Sequence, residues 1–240
     1  MKNRLLVILA CICLLMTTVA AGALLMRPAT QLESNKYGDQ PSMEHMTRLQ
    51  PFYDAGCQEA SQGHIDCLNT AVTEEFYCID TLLVDMQIAT GLGLPLVECA
   101  TPRDKAQGKY FRCEGGLIQY CESYISHNGS DFFRIKNREE LLAHIRPIDS
   151  PQKALSLMLL LVEGSLSSLD IPENGELLSM SEPTDTGYVV TIYTTDKHKH
   201  GCRDKIEYEM RTYEVDTEGS ASQISREVIH TEDTAYVCRD

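Results

Sequence analysis

The sequence predicts an α+β protein in two parts: a disulfide-crosslinked, mainly helical N-terminal half, then a helix packed on a four-stranded antiparallel meander. Three observations predict it. Six cysteines crowd between Cys57 and Cys121, where Ile79, Leu82, Leu83, Met86 and Ala89 recur at helical spacing and Gly91 follows as a natural stop. The turn-forming tract His127-Asn128-Gly129-Ser130-Asp131 then divides the chain. Beyond it, a proline-initiated apolar helix precedes four segments of strand character.

Composition bounds the possibilities. With 43% hydrophobic and 23% charged residues, the 240-residue chain can build a packed core and is neither fibrous nor disordered. Its 35 acidic against 21 basic residues give a formal charge of −14, which argues against a nucleic-acid or anionic-lipid binder.

Residues 1–26 read as a signal peptide or membrane anchor. Lys2 and Arg4 precede an uncharged stretch from Leu5 to Met26, and Ala21-Gly22-Ala23 fits the small-x-small cleavage rule. The same stretch is long enough to span a bilayer uncleaved. In both cases the basic flank stays inside and the remainder is extracytoplasmic: secreted, periplasmic or anchored facing outward. A lipoprotein reading through Cys11 is poorer, because only Leu5 to Ala10 would serve as its apolar region.

Removing this segment leaves Cys57, Cys67, Cys78, Cys99, Cys113, Cys121, Cys202 and Cys238. An even number in an exported chain is the signature of disulfides. Zinc is the poorer reading, since no C-x-x-C occurs among them and the first four are widely spaced.

Residues 27–55 read as a polar tether with a short helix begun by Ser42 and stopped by Pro51. Residues 56–130 form the cysteine-rich region, whose six cysteines are expected to pair among themselves. Within it, Lys109–Cys113 and Leu117–Cys121 suit a hairpin about Glu114-Gly115-Gly116, although Leu117, Tyr120 and Tyr124 also fit a helix. On the hairpin reading Cys113 faces Leu117, too far from Cys121 for a disulfide. Asn128-Gly129-Ser130 is both a turn and a glycosylation acceptor, with the turn the plainer reading.

Residues 131–240 form the α+β part. Asn137 precedes a short helix through Ile145, and Ser150-Pro151 caps an almost wholly apolar helix ending at Gly164. Strands are expected at Glu176–Ser181, Tyr188–Thr195, Lys205–Val215 and Ser222–His230, with Asp216-Thr217-Glu218-Gly219 as a turn. The meander brings Cys202 and Cys238 to one end, so these two are expected to bond. From Asn137 to Asp240 this order resembles the cystatin-like layout. The inhibitory Gln-x-Val-x-Gly loop of cystatins has no counterpart in Pro183-Thr184-Asp185-Thr186-Gly187, nor their Pro-Trp pair in Asp196–Gly201, so protease inhibition is not implied.

Candidate chemistry is sparse. Asp196, His198, His200 and Cys202 have metal-ligand character, but Lys197 and Lys199 add repulsive charge and Cys202 is expected in a disulfide. Glu74 with Glu75, and Asp80 with Asp85, are carboxylate pairs that a solvated face explains as well. Gly91-Leu92-Gly93 lacks the third glycine of a dinucleotide loop, and no nucleophile motif is present. The sequence therefore assigns no catalytic, cofactor or metal residues. It points to an exported, disulfide-stabilised binding protein without catalysis, acting on a protein or small-molecule ligand and not on nucleic acid, and touching membrane only through an uncleaved N-terminus. The alternative is an extracytoplasmic hydrolase with a site at the junction of the halves.

Overall fold

The computed structural model describes residues 30–31, 43–59, 65–114, 119–163, 165–166, 168–171, 175–200 and 203–235. The export segment, Cys202 and Cys238 lie outside them, and with them the expected Cys202–Cys238 bond.

The expected helical half is overturned. Strand dominates over helix throughout, in several antiparallel sheets. After α1 (Met43–Asp54) and a small hairpin of β2 (Gln58–Glu59) and β3 (Ile65–Asp66), α2 (Ala71–Phe76) leads into β4 (Asp80–Leu83) and α3 (Met86–Leu92). A five-stranded sheet follows from β4, β5 (Val97–Pro102), β7 (Tyr120–His127) and β6 (Arg112–Glu114) in that order, with β8 (Phe132–Ile135) also paired to β7. The Ile79–Ala89 run is thus a strand and then a helix. The Asp85 carboxylate accepts the backbone N–H groups of Gln87 and Ile88, so the helix starts only after it.

Pro51 does not stop α1 either, since the helix runs to Asp54. Leu49 and Phe52 flank the proline and are buried to 1% and 0% exposure, packed against the disulfide-rich core. Burial of roughly 1.5 to 3 kcal/mol per side chain offsets a proline cost of about 3 kcal/mol.

The second sheet has six strands. Its path is β1 (Thr30–Gln31), β12 (Met180–Pro183), β13 (Gly187–His200), β14 (Arg203–Asp216) and β15 (Ala221–Ala235), and β9 (Ser165–Leu166) extends the β12 edge of β13. It is therefore not a lone helix on a four-stranded meander. The segment expected as one strand at Glu176–Ser181 breaks at Ser179: β11 (Gly175–Leu178) pairs with β10 (Ser168–Ile171) in a separate hairpin, and β12 joins the large sheet. The buried Ser179 hydroxyl explains the break. It donates to the Leu166 carbonyl and accepts from the Tyr193 N–H.

Two helices sit beside these sheets. In α4 (Arg138–Ile145) the Asn137 side chain caps Glu140, and in α5 (Pro151–Leu161) the Ser150 hydroxyl caps Lys153. Ala154 through Leu159 of α5 are buried. Helix α5 packs on β12 and β13 and also on α3, where Gly91 lies so close to Ser156 that an added Cβ would collide with it. The largest core accordingly runs from Val84, Leu92, Leu96 and Tyr124 through Leu141, Leu155 and Leu157 to Val190, Ile192 and Val215. The His127–Asp131 tract closes the β7–β8 hairpin, with the Asn128 side-chain oxygen accepting from the Ser130 and Asp131 N–H groups.

Candidate functional site

Three disulfides join Cys57–Cys67, Cys78–Cys99 and Cys113–Cys121. They are compatible with an oxidising, extracytoplasmic setting. The third corrects the expected hairpin register. Cys113 lies directly opposite Cys121, with Arg112 opposite Glu122 and Glu114 opposite Tyr120, because the connection is longer than a tight turn about Glu114–Gly116. The Cα atoms are 4.0 Å apart, nearer the roughly 4.5 Å of a non-hydrogen-bonded facing pair than the roughly 5.5 Å of a hydrogen-bonded one.

In β5 and β7 the side chains alternate between two environments. Val97, Cys99, Cys121, Ser123 and Ile125 are buried towards the disulfide-rich core, whereas Glu98, Glu122 and Tyr124 face the other way. On that second face the Arg112 guanidinium reaches Glu122 at 2.6 Å and Glu163, just past α5, also at 2.6 Å. Glu98 faces Tyr124 across the strands. Burial, and then the Glu122 charge, push the Glu98 carboxyl up to about 6 against the opposing pull of Arg112. Burial and the Glu98 charge push the Tyr124 hydroxyl up as well.

Next to this cluster lies a cavity of about 350 Å³, walled by Lys109, Tyr110, Phe111, Asn137, Arg138, Glu139 and Leu161. It sits where the β5–β6 connection meets the start of α4 and the end of α5. Phe111 forms one wall and packs edge-on against Tyr124 at 5.0 Å. Arg138 is braced by donating to the Gly219 carbonyl, and Tyr110 is braced by accepting from Arg134. The cavity therefore offers two cationic side chains against one carboxylate, Glu139, with an amide and an apolar wall, at the lower end of the roughly 300 to 1,000 Å³ range of ligand sites.

The sequence missed this site, because its residues belong to no motif. One signal existed. Arg103, Lys105, Lys109, Arg112, Arg134, Lys136 and Arg138 gather in two short segments of an otherwise acidic chain.

The residues weighed from the sequence lie elsewhere. Asp196, His198 and His200 are on β13, which runs unbroken to His200 opposite Arg203 instead of turning after Thr195. Asp196 stands 3.9 Å from Arg226. Glu74 and Glu75 are exposed on α2, Asp80 begins β4 and Asp85 caps α3. No group of His, Cys, Asp and Glu fit to hold a metal occurs among the described residues, and no helix there is long and apolar enough to cross a membrane. No protein family, curated protein or solved structure matches the chain.

Proposed function

We propose that the protein is an extracytoplasmic binding module that holds a small, partly apolar anion in the cavity between the β5–β6 connection, the start of α4 and the end of α5. The observation that supports this is the cavity wall: Phe111 and Leu161 offer apolar contact, and the Lys109 and Arg138 cations outnumber the one carboxylate, Glu139. An aromatic or aliphatic carboxylate satisfies both features, with its carboxylate on the cations and its body against Phe111. Two disulfides, Cys78–Cys99 and Cys113–Cys121, fix the adjoining sheet before any ligand arrives, which lowers the ordering cost of binding.

Calorimetric titration of the purified full chain with benzoate tests the proposal, with benzamide as the uncharged control. Saturable binding of benzoate, several-fold weaker for benzamide and lost in Lys109→Glu, is the expected result. Equal binding of both compounds, or an unchanged affinity in Lys109→Glu, rejects it.

Glu98 favours a second reading, hydrolysis. A buried carboxyl raised to about 6 is poised near neutral pH, as a group in acid–base catalysis is. Turnover of generic ester or glycoside substrates that disappears in Glu98→Gln would move the function to that reading.

A further inference from the structure

From Pro51 to Pro102 the chain carries eight acidic residues and no lysine or arginine. In the same stretch three large apolar side chains stand in solvent: Leu68 at 43%, Tyr77 at 59% and Ile79 at 46% exposure. One compact knot gathers them. The Thr70 and Thr73 hydroxyls both donate to the Cys67 carbonyl, and the Cys78 N–H donates to the Thr73 carbonyl. Leu68 thereby enters the two-turn α2, Tyr77 and Ile79 leave it, and the Cys57–Cys67 and Cys78–Cys99 bonds pin both ends.

Tyr77 itself has a left-handed backbone, φ 54°, a conformation that bulky residues adopt at a cost. The knot thus holds an exposed ring on strained backbone. Around it Asp66, Glu74, Glu75 and Asp80 are exposed. A cation does reach the region from outside, but Arg134 is committed to the Phe76 carbonyl and ring and to the Tyr110 hydroxyl.

An apolar centre with an exposed tyrosine and an acidic rim has the make-up of a protein-docking surface. We infer that this face binds a protein partner whose own surface presents lysine or arginine around an apolar side chain. The acidic rim steers that partner in and the Leu68–Tyr77–Ile79 centre supplies the contact. The inference is independent of the ligand assigned to the cavity.

The test uses the full chain and fluorescence anisotropy of a labelled peptide alternating lysine with phenylalanine. A lysine–serine peptide and a glutamate–phenylalanine peptide serve as controls. The lysine–phenylalanine peptide binds best, and its affinity falls about tenfold or more when Leu68, Tyr77 and Ile79 are all replaced by serine. Glu74→Gln with Glu75→Gln weakens binding and flattens its salt dependence. Should the triple variant misfold by circular dichroism, Tyr77→Asn removes the ring while suiting the left-handed backbone, and its expected loss is about threefold or more. Unchanged affinity in the folded variant, or equal binding of the acidic peptide, overturns the inference. So does sedimentation showing that Tyr77→Asn abolishes self-association, which assigns the face to a second copy of the chain.

Discussion

The two large sheets reach order by opposite means. In the five-stranded sheet the strands are short, eight residues at most in β7, and three cystines, with Phe52 and Leu49 of α1, fill and lace one side. In the six-stranded sheet β13, β14 and β15 run 14, 14 and 15 residues, and among the described residues no disulfide joins them. Their core comes from α5, and an ion cluster ties β15 to β14: the buried Glu209 carboxylate accepts Arg211 Nε at 2.8 Å and Arg226 Nε at 2.9 Å. Among the described residues, the covalent crosslinks accompany the short ladders and the ion cluster accompanies the long ones.

Four variants break or sharpen this contrast. Phe52→Ala has the largest expected effect, because Phe52 is fully buried and packs edge-on to Phe132 at 5.0 Å. Urea unfolding should show a loss of about 3 to 5 kcal/mol. Replacing Cys78 and Cys99 together by alanine opens a loop with a sequence separation of 21 residues and should cost about 3 kcal/mol in the same assay. A negligible loss would mean that the crosslinks are ornaments on a sheet already stable without them.

The remaining two probe pH, with opposite signs in the two sheets. Burial alone would raise the pKa of Glu209, but hydrogen bonds from Arg226 and Arg211, and their charges, outweigh it and hold the group below its ordinary value. Its contribution is present above the unfolded carboxylate range and is lost as pH falls through the folded value. Glu209→Gln should therefore cost about 2 kcal/mol at pH 7 and progressively less in acid.

Glu98 is raised to about 6 from an unfolded value of 4.5. The native state binds the extra proton, so stability drops as pH rises from 4.5 to 6 and stays lower above. Glu98→Gln should stabilise by about 1 kcal/mol at pH 7.5, after allowance for partial solvent screening, and do nothing at pH 4. Urea midpoints at the two pH values read both variants.

How much of this was legible in the sequence depended on whether a signal was local. Asn137 and Ser150-Pro151 marked the helix starts, because a cap needs only its own next three residues. The strand expected at Lys205–Val215 falls within β14, although Glu209 in it is buried and ion-paired. Ile79 to Ala89 misled, since its spacing serves a helix and a strand equally, and the cue that divides it is the single cap Asp85. The Cys113–Cys121 register misled because it is set by loop length, which the chemistry of Glu114–Gly116 does not encode. Nor was the cavity legible: Lys109, Phe111, Arg138 and Leu161 meet only once α4 and α5 have packed beside the first sheet.

That meeting is most directly tested by mapping amide chemical shifts of the full chain during titration with benzoate. Saturable shifts confined to residues 109–111 and 137–139 and to Leu161, and absent in Lys109→Glu, are the expected result. Shifts that never saturate, or that fall instead along the β13–β14 hairpin around Asp196, would contradict a ligand site at this junction.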